Sequence, residues 1–131
     1  GSNETAHAMQ LYKASEKAGA DGVMIVTPYY NKPTQAGVLT HFRMVADSTD
    51  LPVILYDIPG RTGVAISHDT FHRASKHPNI IAVKDAKGDL ARVRQAHRFF
   101  CSRGVFAGCV ACPMCGTATD TGRKSCFQTY R

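Results

Sequence analysis

Lys84 ends an unbroken apolar run, Ile80-Ile81-Ala82-Val83, in the stretch NIIAVKDAKGD. A lysine held at the mouth of an apolar interior is partly desolvated. That disfavours the ammonium and makes the free amine available as a nucleophile toward a carbonyl, the first step of Schiff-base formation. Two further apolar runs end near aromatics: GVMIVTP is followed by Tyr29 and Tyr30, and LPVILYDIPG carries Tyr56. A phenol both donates and accepts, so Tyr56 beside the amine can pass protons to and from a carbinolamine. The turn PGRTG adds Arg61, whose planar fork can hold a carboxylate through two parallel hydrogen bonds. Amine, phenols and guanidinium together suit the capture of a keto acid.

Each of these residues also has an ordinary reading. A lysine at a strand end is most often a solvated edge residue. Tyr29 and Tyr30 could be packing aromatics at an interface, and Arg61 could pair with a surface acid. The chemical reading therefore depends on elements that deliver all of them to one place. AMQLYKASEKAGADG has helical spacing at Ala8, Leu11, Tyr12, Ser15 and Ala18, with Gly19 as a stop. GVMIVTP follows as a strand buried on both faces. TQAGVLTHFRMVADST repeats the helical spacing through Val38, Phe42 and Val45. LPVILYDIPG is a second strand, SHDTFHRASKH a helix capped by Ser67, NIIAVKD a third strand, and DLARVRQAHRFF the start of a fourth helix.

Helix and strand thus alternate at a period of about thirty residues, the pattern of a parallel sheet. The G-x-G-x-x-G fingerprint and the P-loop are both absent, which removes the main reasons to prefer an open doubly wound sheet. The sequence predicts an α/β fold, part of a (β/α)8 barrel, in which chemistry collects where the strands end. Those ends carry Tyr29, Tyr30, Tyr56 and Lys84.

The blocks VTPYYNKPTQAG, LPVILYDIPGRTG and IIAVKDAKGDL, in this order and spacing, closely resemble the dihydrodipicolinate synthase family of lysine and diaminopimelate biosynthesis. The opening GSNETA resembles the family's motif after its third strand, so these would be strands four to six. The resemblance implies a homotetrameric lyase that condenses pyruvate with aspartate semialdehyde and needs no added cofactor. It assigns Lys84 as the lysine that forms the imine, Tyr56 as the proton-relay tyrosine and Arg61 as the carboxylate-binding arginine. It makes Tyr30 the tyrosine that crosses a subunit interface to complete a neighbour's relay. Asn3 and Tyr29 resemble residues that bind inhibitory lysine in regulated members, although the place of the partner acid holds His7. The family's relay threonine lies upstream of this chain, and Asp57 and Asp85 stand where the family commonly has Asn and Glu. Sister enzymes that cleave or form N-acetylneuraminate or keto-deoxy sugar acids share the imine chemistry; the Gly-Arg-Thr-Gly turn favours the synthase.

Composition agrees with a globular protein, at 44% hydrophobic and 20% charged residues. No apolar run is long enough for a membrane helix, and the first residues lack a secretory leader, so a cytoplasmic protein is expected. The net charge of +6 does not point to nucleic acid, because it is unevenly placed. Residues 1–91 hold nine basic and nine acidic side chains, whereas residues 92–131 hold seven basic and one acidic. All five cysteines also lie beyond residue 100. We expect a partial barrel over 1–93 and a separate Cys-rich basic tail over 94–131. The tail contains Cys109, Cys112 and Cys115 in C-x-x-C-x-x-C spacing with Cys126 further on, which suits iron–sulfur or zinc, and a non-catalytic metal-binding protein is the competing reading. Pro113 inside the motif and the loss of periodicity after Phe100 instead read as out-of-frame translation, with no strand expected there. His68 and His72 form an i, i+4 pair without an evident third ligand, so no metal is assigned. A complete barrel of this kind needs about 250 residues, and the chain by itself is expected to fold poorly and lack synthase activity.

Overall fold

The computed structural model describes residues 1–89, 91 and 99, and the backbone of 107–109. Its elements are α1 (Thr5–Lys17), β1 (Val23–Val26), α2 (Gln35–Asp47), β2 (Val53–Asp57), α3 (Pro59–Thr62), α4 (His68–Ala74), β3 (Ile80–Asp85) and β4 (Ala107–Cys109). The helix boundaries follow the signals in the sequence. The Thr34 hydroxyl accepts from Gly37 N–H to start α2, and the Ser67 hydroxyl accepts from Thr70 N–H to start α4. Gly19, at φ 82°, adopts the left-handed conformation just past α1, which glycine does without strain.

The four strands form one parallel sheet in the order β1-β2-β3-β4, each strand beside its predecessor. A doubly wound sheet reverses direction at a switch point. No reversal occurs among these strands, and successive helices α1, α2 and α4 pack on one another over a single face. That face is the core. Val23, Ile25, Val53, Leu55, Ile80 and Val83 meet Tyr12 of α1, Val38, Phe42 and Val45 of α2, and Phe71 of α4. The alternate residues Met24, Val26, Ile54, Tyr56 and Lys84 point to the other face, which the helices leave uncovered, and Met24 is 42% exposed there. A parallel sheet with its strands in sequential order and its helices on one face is the arrangement of part of a (β/α)8 barrel.

Two elements depart from the sequence expectation. PGRTG, expected as a loop, forms the single turn α3, started by Pro59 and closed by Gly63 at φ 75°. β4 pairs Ala107 with Val83 and Cys109 with Asp85 in the segment where the loss of periodicity predicts no strand. Three residues are too few to register as a periodic pattern. The helix expected from Asp89 to Phe100 and the cysteine cluster lie outside the described residues, apart from the positions named above. Among the described residues no helix is long and apolar enough to cross a membrane.

His41, 3% exposed, is held between α1 and α2 with Nδ1 2.9 Å from Thr5 Oγ1. Burial pushes its pKa from 6.5 down to about 4. The folded state therefore resists a proton that the unfolded chain accepts. Stability from the neutral ring is complete above pH ~6.5 and is lost as pH falls toward 4, to a limit of ~3 kcal/mol. Unfolding free energies measured between pH 4 and 7 should show this slope in the unmodified protein and lose most of it in His41→Gln.

Candidate active site

The site begins with a register irregularity. Val53 pairs with Ile80, but the next residue, Ile54, pairs with Ala82, so Ile81 is an extra residue in β3. Side chains alternate along a strand, and a bulge resets the alternation. Ile80 belongs to the helix-covered core, and strict alternation from it would turn Lys84 to the same side. With Ile81 taken up by the bulge, Val83 faces the core and Lys84 the open face, directly opposite Tyr56.

Tyr56 and Lys84 are thus neighbours on adjacent parallel strands, each one residue from the strand's end. The Lys84 Nζ lies 4.4 Å from the centroid of the Tyr56 ring, in cation–π contact. Both side chains are half-buried. Beneath them on the same face lie the apolar Ile54 and Ala82, and Val26 stands beside Tyr56 in register. A shallow concavity lined by Asp21, Gly22, Met24, Pro52 and Ile54 lies at the opposite ends of β1 and β2, away from this pair.

The carboxylates that follow the two residues work from behind. Asp57 and Asp85 are fully buried, pair in register, and face the helices. Asp57 Oδ1 accepts from Ile66 N–H at 3.2 Å, and Asp85 Oδ1 accepts from Lys87 N–H at 2.8 Å. Each acid ties down the loop that leaves its own strand. In the sequence they register only as mild departures from a family pattern. Nothing in their spacing shows that they are loop anchors, since both sit among apolar residues on chain segments distant in sequence.

Arg61 is exposed on α3, four residues past the end of β2. Its side chain makes no hydrogen bond or ion pair among the described residues, while its turn is firmly held. Thr62 Oγ1 lies 3.2 Å from Ile58 O and 3.0 Å from Val64 O, and Gly63 N–H donates to Pro59 O at 2.9 Å. An added Cβ at Gly63 would meet Lys32 Cε at 3.3 Å, so the lysine stem lies across this glycine. Gly63→Ala should destabilise by about 1–2 kcal/mol, set by the left-handed backbone rather than by the yielding lysine. Chemical unfolding of the two proteins measures it.

Tyr30 is 88% exposed with φ 70°, and Lys32 has φ 45°. Two non-glycine residues in the left-handed region within three positions mark a loop bent against its intrinsic preference. Tyr29, 41% exposed, precedes them. Asn3 meets this loop: Asn31 Nδ2 donates to Asn3 O at 3.1 Å, and Asn3 Nδ2 donates to Asn31 Oδ1 at 3.4 Å. The structure therefore brings Tyr56 and Lys84 into contact, sets Arg61 in the turn leaving β2 and the tyrosine pair in the loop leaving β1, and projects Tyr30 into solvent. His68 and His72 pack their rings on Phe99, at 5.5 and 4.9 Å, and no group of three or more potential metal ligands occurs among the described residues.

Known proteins resemble this chain in sequence and in fold. A sequence model of the Dihydrodipicolinate synthetase family matches residues 1–113. The 4-hydroxy-tetrahydrodipicolinate synthase of Acidothermus cellulolyticus is 62% identical over 89 residues, covering 68% of this chain and 29% of that protein. An enzyme of the same name from Streptomyces coelicolor is 54% identical over 96 residues, covering 73% and 32%. Among solved structures, the chloride-inhibited dihydrodipicolinate synthase of Acinetobacter baumannii, complexed with pyruvate, superposes with a TM-score of 0.78 at 43% identity, over 83% of this chain and 37% of that one. DapA-2 of Bacillus anthracis gives 0.74 at 47% identity, over 76% and 34%. The chain spans less than a third of the length of these curated relatives. The family match over most of its length and the likeness to solved structures agree, and on them the chain belongs to the dihydrodipicolinate synthetase family, as part of its (β/α)8 barrel.

Proposed function

We propose that the protein containing these strands is a 4-hydroxy-tetrahydrodipicolinate synthase, a lyase that condenses pyruvate with aspartate semialdehyde through an imine on Lys84. The observation that carries this reading is the in-register opposition of Lys84 and Tyr56 at the ends of adjacent parallel strands, with the Lys84 Nζ 4.4 Å from the Tyr56 ring centroid. The neutral Lys84 amine adds to the keto carbon of pyruvate. Tyr56 protonates the carbinolamine oxygen, which leaves as water, and the imine remains. The Tyr56 phenolate left by that step takes a proton from the methyl group, regenerating the phenol and giving an enamine, whose carbon adds to the aldehyde. Arg61 holds the substrate carboxylate.

Tyr30 acts, in this reading, on a neighbouring subunit of a tetramer; its solvent exposure and bent backbone suit a side chain that finds its contacts elsewhere. Asn3 and Tyr29 form a candidate site for regulatory lysine, supported by the bonding of Asn3 to the tyrosine loop. We place the enzyme in the cytoplasm. Residues 1–93 are taken as barrel and 94–131 as a tail read largely out of frame, and the family match runs past that boundary to 113. Translation of the neighbouring reading frames should restore a seventh βα unit if the tail is a frame error.

Borohydride reduction of the full-length protein in the presence of pyruvate tests the central assignment. A stable mass increase confined to the peptide bearing Lys84 is expected. An adduct on another lysine, or none in a folded protein, would overturn it.

A further inference from the structure

Gln35, in the first turn of α2, makes three hydrogen bonds to one segment of a different βα unit. Its Nε2 donates to Ala65 O at 2.8 Å, while its Oε1 accepts from Ser67 N–H at 2.8 Å and from the Thr70 hydroxyl at 2.9 Å. The orientation of the carboxamide is unambiguous, because a backbone carbonyl only accepts and a backbone N–H only donates. The Ser67 hydroxyl completes the cluster, 2.9 Å from Thr70 Oγ1. Gln35 is half-buried, so these bonds are partly shielded from competing water.

The clamped residues are the exit of the Arg61 turn. From Arg61 the chain passes through Thr62 and the left-handed Gly63, is held by Asp57 at Ile66, and enters α4 at Ser67. Thr62 and Asp57 hold the turn from within its own βα unit. Gln35 holds it from the unit before, across the loop that carries Tyr30. A side chain with three bonds to the far side of the guanidinium's turn, and none to its own loop, fixes where one loop lies relative to the other.

We propose that Gln35 is a positioning residue that sets the Arg61 guanidinium for a substrate carboxylate. It acts through residues 65–70 and does not touch the substrate. The inference rests on the reading of Arg61 and Lys84 given above. It predicts that loss of the clamp weakens recognition of the carboxylate and leaves imine chemistry intact.

The test uses the full-length protein, borohydride trapping at Lys84, and two probes, pyruvate and its methyl ester, which has the same ketone without the charged carboxylate. In Gln35→Ala the pyruvate concentration for half-maximal trapping should rise about tenfold, while that for the ester stays within about twofold. Arg61→Ala should show the same selectivity more strongly. Thr70→Val removes one of the three bonds and should give a smaller rise, about two- to threefold, again for pyruvate only; it carries the test should Gln35→Ala fail to fold. Equal rises for both probes, or none for either, would overturn the positioning role while leaving the imine assignment standing. No trapping of either probe at Lys84 in the unmodified protein would instead remove the functional reading, and this inference with it.

Discussion

Lys84→Arg in the full-length protein is expected to abolish the pyruvate adduct and to lower condensation by on the order of 10³-fold or more. Arginine is the informative replacement. It keeps a cation that can lie over the Tyr56 ring, where the Lys84 ammonium sits at 4.4 Å, and it keeps a long aliphatic stem. It cannot shed its proton to become an amine. The substitution thus separates the nucleophile from the charge and packing of the same residue. Circular dichroism and the unfolding midpoint should change little, and steady-state condensation should collapse. A variant that retained a tenth of the activity would show that some other group captures the keto acid.

Tyr56→Phe makes the complementary cut. The ring stays beneath the Lys84 ammonium, so the cation–π contact of the free enzyme is retained, and only the hydroxyl is lost. Without an acid beside it, the carbinolamine must lose hydroxide to water unaided. A positioned general acid–base contributes about 10²–10⁴-fold. The turnover number should fall within that range, and the adduct on Lys84 should still form, more slowly. Single-turnover trapping at successive times separates this result from a loss of substrate binding, which would lower the final extent at subsaturating pyruvate instead of the rate at saturation. A decrease of less than about tenfold would place the proton shuttle on another group.

The alternation of helix and strand was readable in the chain because each element carries its own period and punctuation. Thr34 and Ser67 act as caps, Gly19 stops the first helix, and the apolar runs from Val23, Val53 and Ile80 form the parallel strands. Tyr56 and Lys84 could be nominated for the same reason: both lie near the ends of such runs. Which way they face could not be read. A strand buried on one side by helices and on the other by a barrel interior has no polar face, so NIIAVKD carries no mark of phase, and the bulge at Ile81 is invisible in it. The anchoring roles of Asp57, Asp85 and Gln35 are illegible in the sequence for a related cause. Their partners at Ile66, Lys87, Ala65 and Ser67 are met through backbone groups, which every sequence supplies equally, and only Thr70 answers with its side chain. Arg61 was legible as a type of residue, whereas the one-turn helix that presents it needed tertiary support to exist, being far too short to persist alone.

The irregularity in β3 also bears on how this strand can change length. Between Ile80 and Lys84 the chain carries one residue more than its neighbour needs to keep step. Losing a single position there can be absorbed by drawing the kink straight, and the amine still arrives across from the phenol. Related proteins should therefore tolerate a shortening by one in this interval more readily than the same change after Lys84, where the ladder has no slack left to give.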